Sequence, residues 1–245
     1  MSEAEEVVKF YQQLLERDLT NYLNAIAYNL DLMGKVVAKG SGESQALADR
    51  LTKPYEKARD ATNGALAIVS EASKLQRVRM WDNEVLEVLD LKELVQGAID
   101  FLSQIHYKVI NDGLLGFNFE VEDPSRHYPV KANDLLDDIF ITLIGNAIRH
   151  SSREEKVIDF ALAEGGETMW KVTVEDPGLV ISPEQKDKVF KRFSYSLDQP
   201  LGLSLAFELT TKMGGSIKVE YLGDDPSEGT RFVVKFPKAL QDSET

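Results

Sequence analysis

Between Glu3 and about Lys39 the chain contains no proline, and apolar residues recur at steps of three and four: Val8, Tyr11, Leu15, Leu19, Tyr22, Ile26, Leu30, Met33 and Val37. Steps of that size return to one side of an α-helix, so the segment reads as a long helix with one apolar stripe. Gly40-Ser-Gly-Glu-Ser44 then supplies turn residues and a serine or glutamate able to start a second helix. A second stripe follows through Leu47, Leu51, Ala58, Ala61, Ala65, Ile68, Ala72 and Leu75. The unit is a helical hairpin. Two helices of this length cannot cover both stripes on each other, so the pattern predicts a second copy and a four-helix bundle; packing on the rest of a monomeric chain is the alternative. Pro54 falls inside the second helix, where it deletes a backbone hydrogen bond, and predicts a kink or a late helix start.

Beyond a linker around Trp81-Asp-Asn-Glu84 the periodicity changes. Leu89 to Leu102 reads as an amphipathic helix, and strands are expected at 117–121, 157–163, 169–175, 216–221 and 231–236, with helices near 133–150, 183–193 and 202–213. The fold class is therefore α+β: a hairpin over residues 1–82, then a mixed sheet covered by helices on one face over 83–245. No glycine-rich fingerprint follows a first strand, which argues against a Rossmann fold or a P-loop.

Charge narrows the partners. With 41 acidic residues against 28 basic ones, the net charge of -13 repels phosphate backbones and anionic membranes, so no nucleic acid and no membrane partner is expected. Without cysteine there is no disulfide or thiolate chemistry. Met1-Ser-Glu-Ala-Glu-Glu6 lacks the order of a signal peptide, and no apolar run approaches the ~20 residues that span a bilayer, so the expectation is a soluble cytoplasmic protein.

Four short boxes follow one another in the C-terminal region: Asn146 in Ile141-Thr-Leu-Ile-Gly-Asn-Ala-Ile-Arg-His150, Asp176-Pro-Gly-Leu-Val-Ile181, Gly202 in Pro200-Leu-Gly-Leu-Ser-Leu205, and Gly229-Thr230. The series resembles the catalytic domain of sensor histidine kinases, a branch of the ATPase superfamily that includes Hsp90, gyrase B and MutL. Ser182 to Phe193 is similar to the same family's phenylalanine box. The resemblance implies an α/β sandwich that binds ATP, with Asn146 giving an amide oxygen to the magnesium that bridges the phosphates. It places Arg149 against phosphate and His150 against the nucleoside. Asp176 would accept from the adenine amine, Gly178 would let the backbone approach the purine, and Thr230 would help to hold adenine.

The departures are specific. Thr142 stands one helical turn before Asn146, where hydrolytic members carry a glutamate, and threonine is no general base. Val180 replaces the second glycine of the adenine loop, and its β-branched side chain resists positive φ. Pro200 replaces the first glycine of the phosphate turn and removes a backbone donor, while Ser194 to Leu201, the expected lid, holds no basic residue. The expectation is ATP/Mg binding that is weak or lost.

In the hairpin, Leu14 to Asn24 is similar to the segment around the phosphoacceptor histidine of histidine kinases. The histidine position holds Arg17, with Asp18 and Asn21 matching the acid and the amide. A guanidinium has no nucleophilic lone pair, and His106, His127 and His150 all lie outside the hairpin. The reading is a degenerate histidine-kinase-like two-component signalling protein, a homodimer that binds a response-regulator receiver domain or a histidine kinase. The alternatives are a kinase acting in trans on a partner, or a receiver phosphatase using Asp18 and Asn21 with Arg17 beside them. An ATP-binding chaperone-like or repair-like protein is disfavoured by Thr142 and the hairpin.

Overall fold

The computed structural model describes residues 19–38, 44–79, 81, 86–186, 188–190 and 201–239. The chain divides into two compact units, Met1–Lys74 and Leu75–Thr245.

Among the described residues, the first unit holds the helices α1 (Thr20–Ala38) and α2 (Ser44–Arg79), the second of which runs on into the other unit. Ala58, Ala61, Ala65 and Ala72 are buried along α2, at the spacing of one helix face. Small residues there let a neighbouring helix come close. Gly64 takes this furthest: a Cβ at that position would lie 2.3 Å from Cε1 of Tyr22, so the glycine is the slot for the Tyr22 ring. Pro54 lies inside α2, which already begins at Ser44, so the helix does not start late.

The second unit opens with a strand absent from the sequence expectation. β1 (Glu87–Asp90) pairs antiparallel with β3 (Pro129–Ala132) in a two-stranded sheet. Its last residue, Asp90, caps α3 (Leu91–Ile105), accepting from the backbone N–H of Lys92 at 2.9 Å. A short helix, α4 (Tyr107–Asn111), was likewise not expected. The five-stranded sheet comprises β2 (Leu115–Val121), β4 (Lys156–Glu164), β5 (Met169–Asp176), β6 (Ser216–Tyr221) and β7 (Thr230–Pro237), in the order β2-β4-β5-β7-β6. The β2–β4 pair is parallel and the others are antiparallel.

One face of this sheet is apolar and carries Ile158, Phe160, Leu162, Val172, Val174, Ile217, Val219, Phe232, Val234 and Phe236, all buried. Three helices pack in a row against it: α3 on β2, α5 (Leu136–His150) on β4 and β5, and α7 (Leu201–Lys212) on β6 and β7. A further short helix, α6 (Pro183–Lys186), follows β5. The result is a two-layer α/β sandwich, with the mixed sheet and single helical layer expected from the sequence. None of the described helices is long and apolar enough to cross a membrane.

Candidate functional site

The site lies where the C-terminal end of β5 meets the C-terminal end of α5. Helix α5 buries Ile139, Phe140, Leu143, Ile144 and Ala147, and its buried face also takes in the polar Asn146, which is only 2% exposed. Its Oδ1 accepts from Arg149 Nη2 at 3.4 Å, and its Nδ2 is buried without a partner. Arg149 is folded back on the helix by a second contact, Nε donating to the Gly145 carbonyl at 3.2 Å. His150 is exposed at the last position of α5, and Thr142 is half-buried one turn before Asn146.

The chain leaving α5 fastens onto the Asp176 turn. Ser151 continues the helical bonding, its N–H donating to the Ala147 carbonyl at 3.0 Å, and its hydroxyl donates to Asp176 Oδ1 at 3.1 Å. Ser152 donates to the Gly178 carbonyl from both its N–H, at 2.8 Å, and its hydroxyl, at 3.1 Å. Asp176 Oδ1 also accepts from the Gly178 N–H at 2.7 Å, closing the turn on itself. Gly178 is required for this approach, because a Cβ there would lie 2.0 Å from the Ser151 hydroxyl oxygen.

Thr230 sits directly opposite Asp176 in the β5–β7 pairing and is fully buried, its hydroxyl donating to the Leu179 carbonyl at 2.7 Å. The preceding Gly229 has φ of 121°, and a Cβ on it would meet Pro177 Cα at 2.5 Å and the Asp176 carbonyl at 2.6 Å. Only glycine takes that backbone shape against that neighbour without strain. Val180 is exposed, which lets a β-branched residue stand in the loop without overpacking it.

Asp176 is 3% exposed, and its second oxygen, Oδ2, has no partner. Burial pushes its carboxyl above the ordinary range, only partly opposed by the Gly178 N–H, the Ser151 hydroxyl and the Leu179 N–H. A buried carboxylate with one oxygen satisfied and the other bare is an acceptor waiting for a donor. The arrangement suits a ligand that brings an N–H to Asp176.

The structure thus brings Asp176, Gly178 and Thr230 together, with Asn146, Arg149 and His150 on the helix whose continuation reaches Asp176. Gly202 is buried in the first turn of α7. Arg17, Asp18, Pro200 and the expected lid at Ser194 to Leu201 lie outside the described residues, except that Leu201 begins α7. Asn21 is exposed in the first turn of α1. Ser151 and Ser152 were missed; the signal for them is a pair of hydroxyls directly after the Asn146 helix. No group of three or more acidic or histidine side chains suited to a metal occurs among the described residues. Asp134 pairs with Arg77 at 2.9 Å, and Asp225 caps the 3-10 turn Pro226–Glu228.

Residues 131–240 match the family described as Histidine kinase-, DNA gyrase B-, and HSP90-like ATPase. The α/β sandwich is a domain of that ATPase type. Over longer stretches the chain is similar to sensor histidine kinase CpxA of Escherichia coli, 25% identical over 92% of this chain and 47% of that protein. It is also similar to sensor histidine kinase YcbM of Bacillus subtilis, 26% identical over 91% of this chain and 71% of that protein. The chain spans about half the length of CpxA. Among solved structures, histidine kinase AdeS of Acinetobacter baumannii shares the fold with a TM-score of 0.64 at 18% identity, covering 91% of this chain and 98% of that one. Histidine kinase ThkA, in a complex with response regulator protein TrrA, shares it with a TM-score of 0.68 at 20% identity, covering 97% and 64%.

Proposed function

We propose that the chain is a histidine-kinase-like two-component signalling protein that binds an adenine nucleotide weakly, does not phosphorylate itself, and acts by binding a receiver domain or a partner kinase. The observation that carries this reading is the buried Asp176 carboxylate, held by Ser151 and Gly178 with Oδ2 left bare beside the buried Thr230. An adenine amine donating to Oδ2 would complete it. Asn146 would hold magnesium on its Oδ1 in place of the long Arg149 contact, and the released guanidinium would meet phosphate. Magnesium, when bound, neutralises phosphate charge.

The phosphate side argues for weak affinity. Pro200 offers no N–H to an anion, and the segment from Ser194 to Leu201 offers no cation. The half-buried Thr142 supplies no base to activate water. Arg17 stands at the acceptor position of the family resemblance, so phosphate has no imidazole to move to. In ThkA the relative is captured with a response regulator, which supports a receiver domain as the partner here.

The test is incubation with labelled ATP and magnesium, followed by acid and base treatment of the protein. The wild-type chain is expected to carry no acid-labile phosphate, and acid-labile label on it would overturn the reading. Label appearing on Arg17→His would place the block at the acceptor alone. Label appearing on an added partner kinase or receiver would favour the trans-acting kinase instead.

The exposure of Asn21 supports a second reading, in which Asp18 and Asn21 work with Arg17 on a docked receiver. The amide would position water against an acyl phosphate that the guanidinium grips. Phosphate loss from a labelled receiver should then slow in Asn21→Ala and Arg17→Ala, and equal decay in every sample would exclude it.

A further inference from the structure

Among the described residues, three buried side-chain polar atoms lack a hydrogen-bond partner: Asn146 Nδ2, Asp176 Oδ2 and the Tyr221 hydroxyl. The first two belong to the nucleotide site proposed above. Tyr221 was not singled out by any sequence motif, yet the sheet register carries it to the same place. Asp176 pairs with Thr230 on one side of β7, and Tyr221 pairs with Thr230 on the other. Residues directly opposite each other in a ladder share a face, so Asp176, Thr230 and Tyr221 form one row across three strands. That row closes the apolar face on which Val174, Phe232 and Val219 form the next row. With neighbouring strands ~4.8 Å apart, the outer members of the row have Cα atoms roughly 10 Å from each other.

Lys186, at the end of α6, sets its Nζ 4.4 Å from the Tyr221 ring centroid, and α6 follows the loop that carries Asp176 and Gly178. A buried tyrosine hydroxyl ordinarily finds a partner, and leaving it bare costs stability. One bare group, Asp176 Oδ2, stands at the β5 end of the row, and another, the Tyr221 hydroxyl, stands at its β6 end.

We propose that Tyr221 is a further ligand contact, its hydroxyl donating a hydrogen bond to a ring nitrogen of the bound purine from the far side of Thr230. This inference rests on the adenine-nucleotide reading and adds a second polar group that recognises the base. Asp176 accepts from the exocyclic amine while Tyr221 donates to an acceptor nitrogen, so the two read opposite hydrogen-bonding senses.

The experiment is a calorimetric titration of the full chain with ADP, run on wild type, Tyr221→Phe and Asp176→Asn, together with melting of each protein without nucleotide. Phenylalanine keeps the ring under Lys186 and removes only the hydroxyl. Tyr221→Phe should bind ADP roughly three- to ten-fold more weakly, the worth of one hydrogen bond, while its nucleotide-free form melts at the same temperature as wild type or higher. Unchanged ADP affinity in Tyr221→Phe, with affinity lost in Asp176→Asn, would overturn the tyrosine assignment and leave the nucleotide reading standing. A lower melting temperature without nucleotide would show that the hydroxyl serves the protein rather than a ligand, and would also overturn it. No ADP binding by any of the three proteins would remove the nucleotide reading and this inference together.

Discussion

At the scale of single residues, Asp176 sets folding against binding. Burial raises its carboxyl above its ordinary value, so the folded chain holds that proton to a higher pH than the unfolded chain does. Between those two values the native state binds more protons, and its stability falls as pH rises through the window and is level above it. Asp176→Asn removes this fall: its melting temperature should gain on wild type as pH rises out of the acid range, ending equal to or above wild type at neutral pH. The same substitution puts a donor where adenine needs an acceptor, so nucleotide binding should drop by at least ten-fold in a titration with ADP. Wild-type affinity for ADP should weaken on acidification, as Asp176 gains the proton that blocks Oδ2. The Asp176 turn was legible in the sequence because aspartate, proline and glycine in a row favour a tight turn whatever the fold, whereas a part for Asp176 in reading adenine comes from the family resemblance. For Ser151 the sequence shows only a hydroxyl after the Asn146 helix, since its contact with Asp176 spans 25 positions and exists only once α5 and β5 are packed. Tyr221 was hidden for the same reason, because a strand residue gains its neighbours from pairing register rather than from sequence spacing.

At the scale of elements, the regular periods were readable and the short pieces were not. The expected positions of β2, β4, β5, β6 and β7 match the observed strands to within one or two residues, because each presents apolar side chains at strand period. Strand β1 and helix α4, of four and five residues, are too short to show a period. The structural signal at β1 is instead Asp90, whose carboxylate accepts from the Lys92 N–H, from His127 Nδ1 at 2.9 Å and from the Tyr128 N–H at 3.3 Å. Partial burial tends to raise this carboxyl, but His127 and the two backbone donors outweigh it and hold the group below its ordinary value. The stability it contributes is therefore complete above the unfolded carboxylate value and lost as pH falls through the lower native one. Asp90→Ala should cost about 1–2 kcal/mol at neutral pH, as for other N-caps, and the gap from wild type should close in acid; chemical denaturation across pH measures both. The hairpin offers a second case at this scale. Gly64→Ala brings helix propensity worth roughly 1 kcal/mol, yet the new Cβ would fall within the Tyr22 ring, and such overpacking costs about 1–3 kcal/mol. Lower helical signal on melting by circular dichroism is the expected outcome, and a rise in stability would show that the ring moves freely.

At the scale of the whole molecule, the hairpin leaves apolar surface that one copy does not cover. Along α1, Leu23, Leu30 and Val37 are 54%, 54% and 59% exposed, and they are spaced seven apart. A seven-residue spacing is the repeat of a helix seam that meets another helix over its whole length. On α2, Leu66 and Val69 are also exposed, one turn apart. Tyr22, Ile26 and Met33, from the sequence stripe that also holds Leu30 and Val37, are half-buried, so one edge of the apolar surface packs while the other, which also takes in Leu23, stays open. Apolar surface in a line of this length is what a second copy would bury, forming the four-helix bundle expected from the sequence. Leu23→Glu with Leu30→Glu places charge on that open line without touching the half-buried edge, so each hairpin should remain helical while the dimer is lost. Light scattering at micromolar concentration should return twice the chain mass for wild type and a single chain mass for the double variant. A wild-type chain that scatters as a monomer would mean that this line is covered by something other than its own copy.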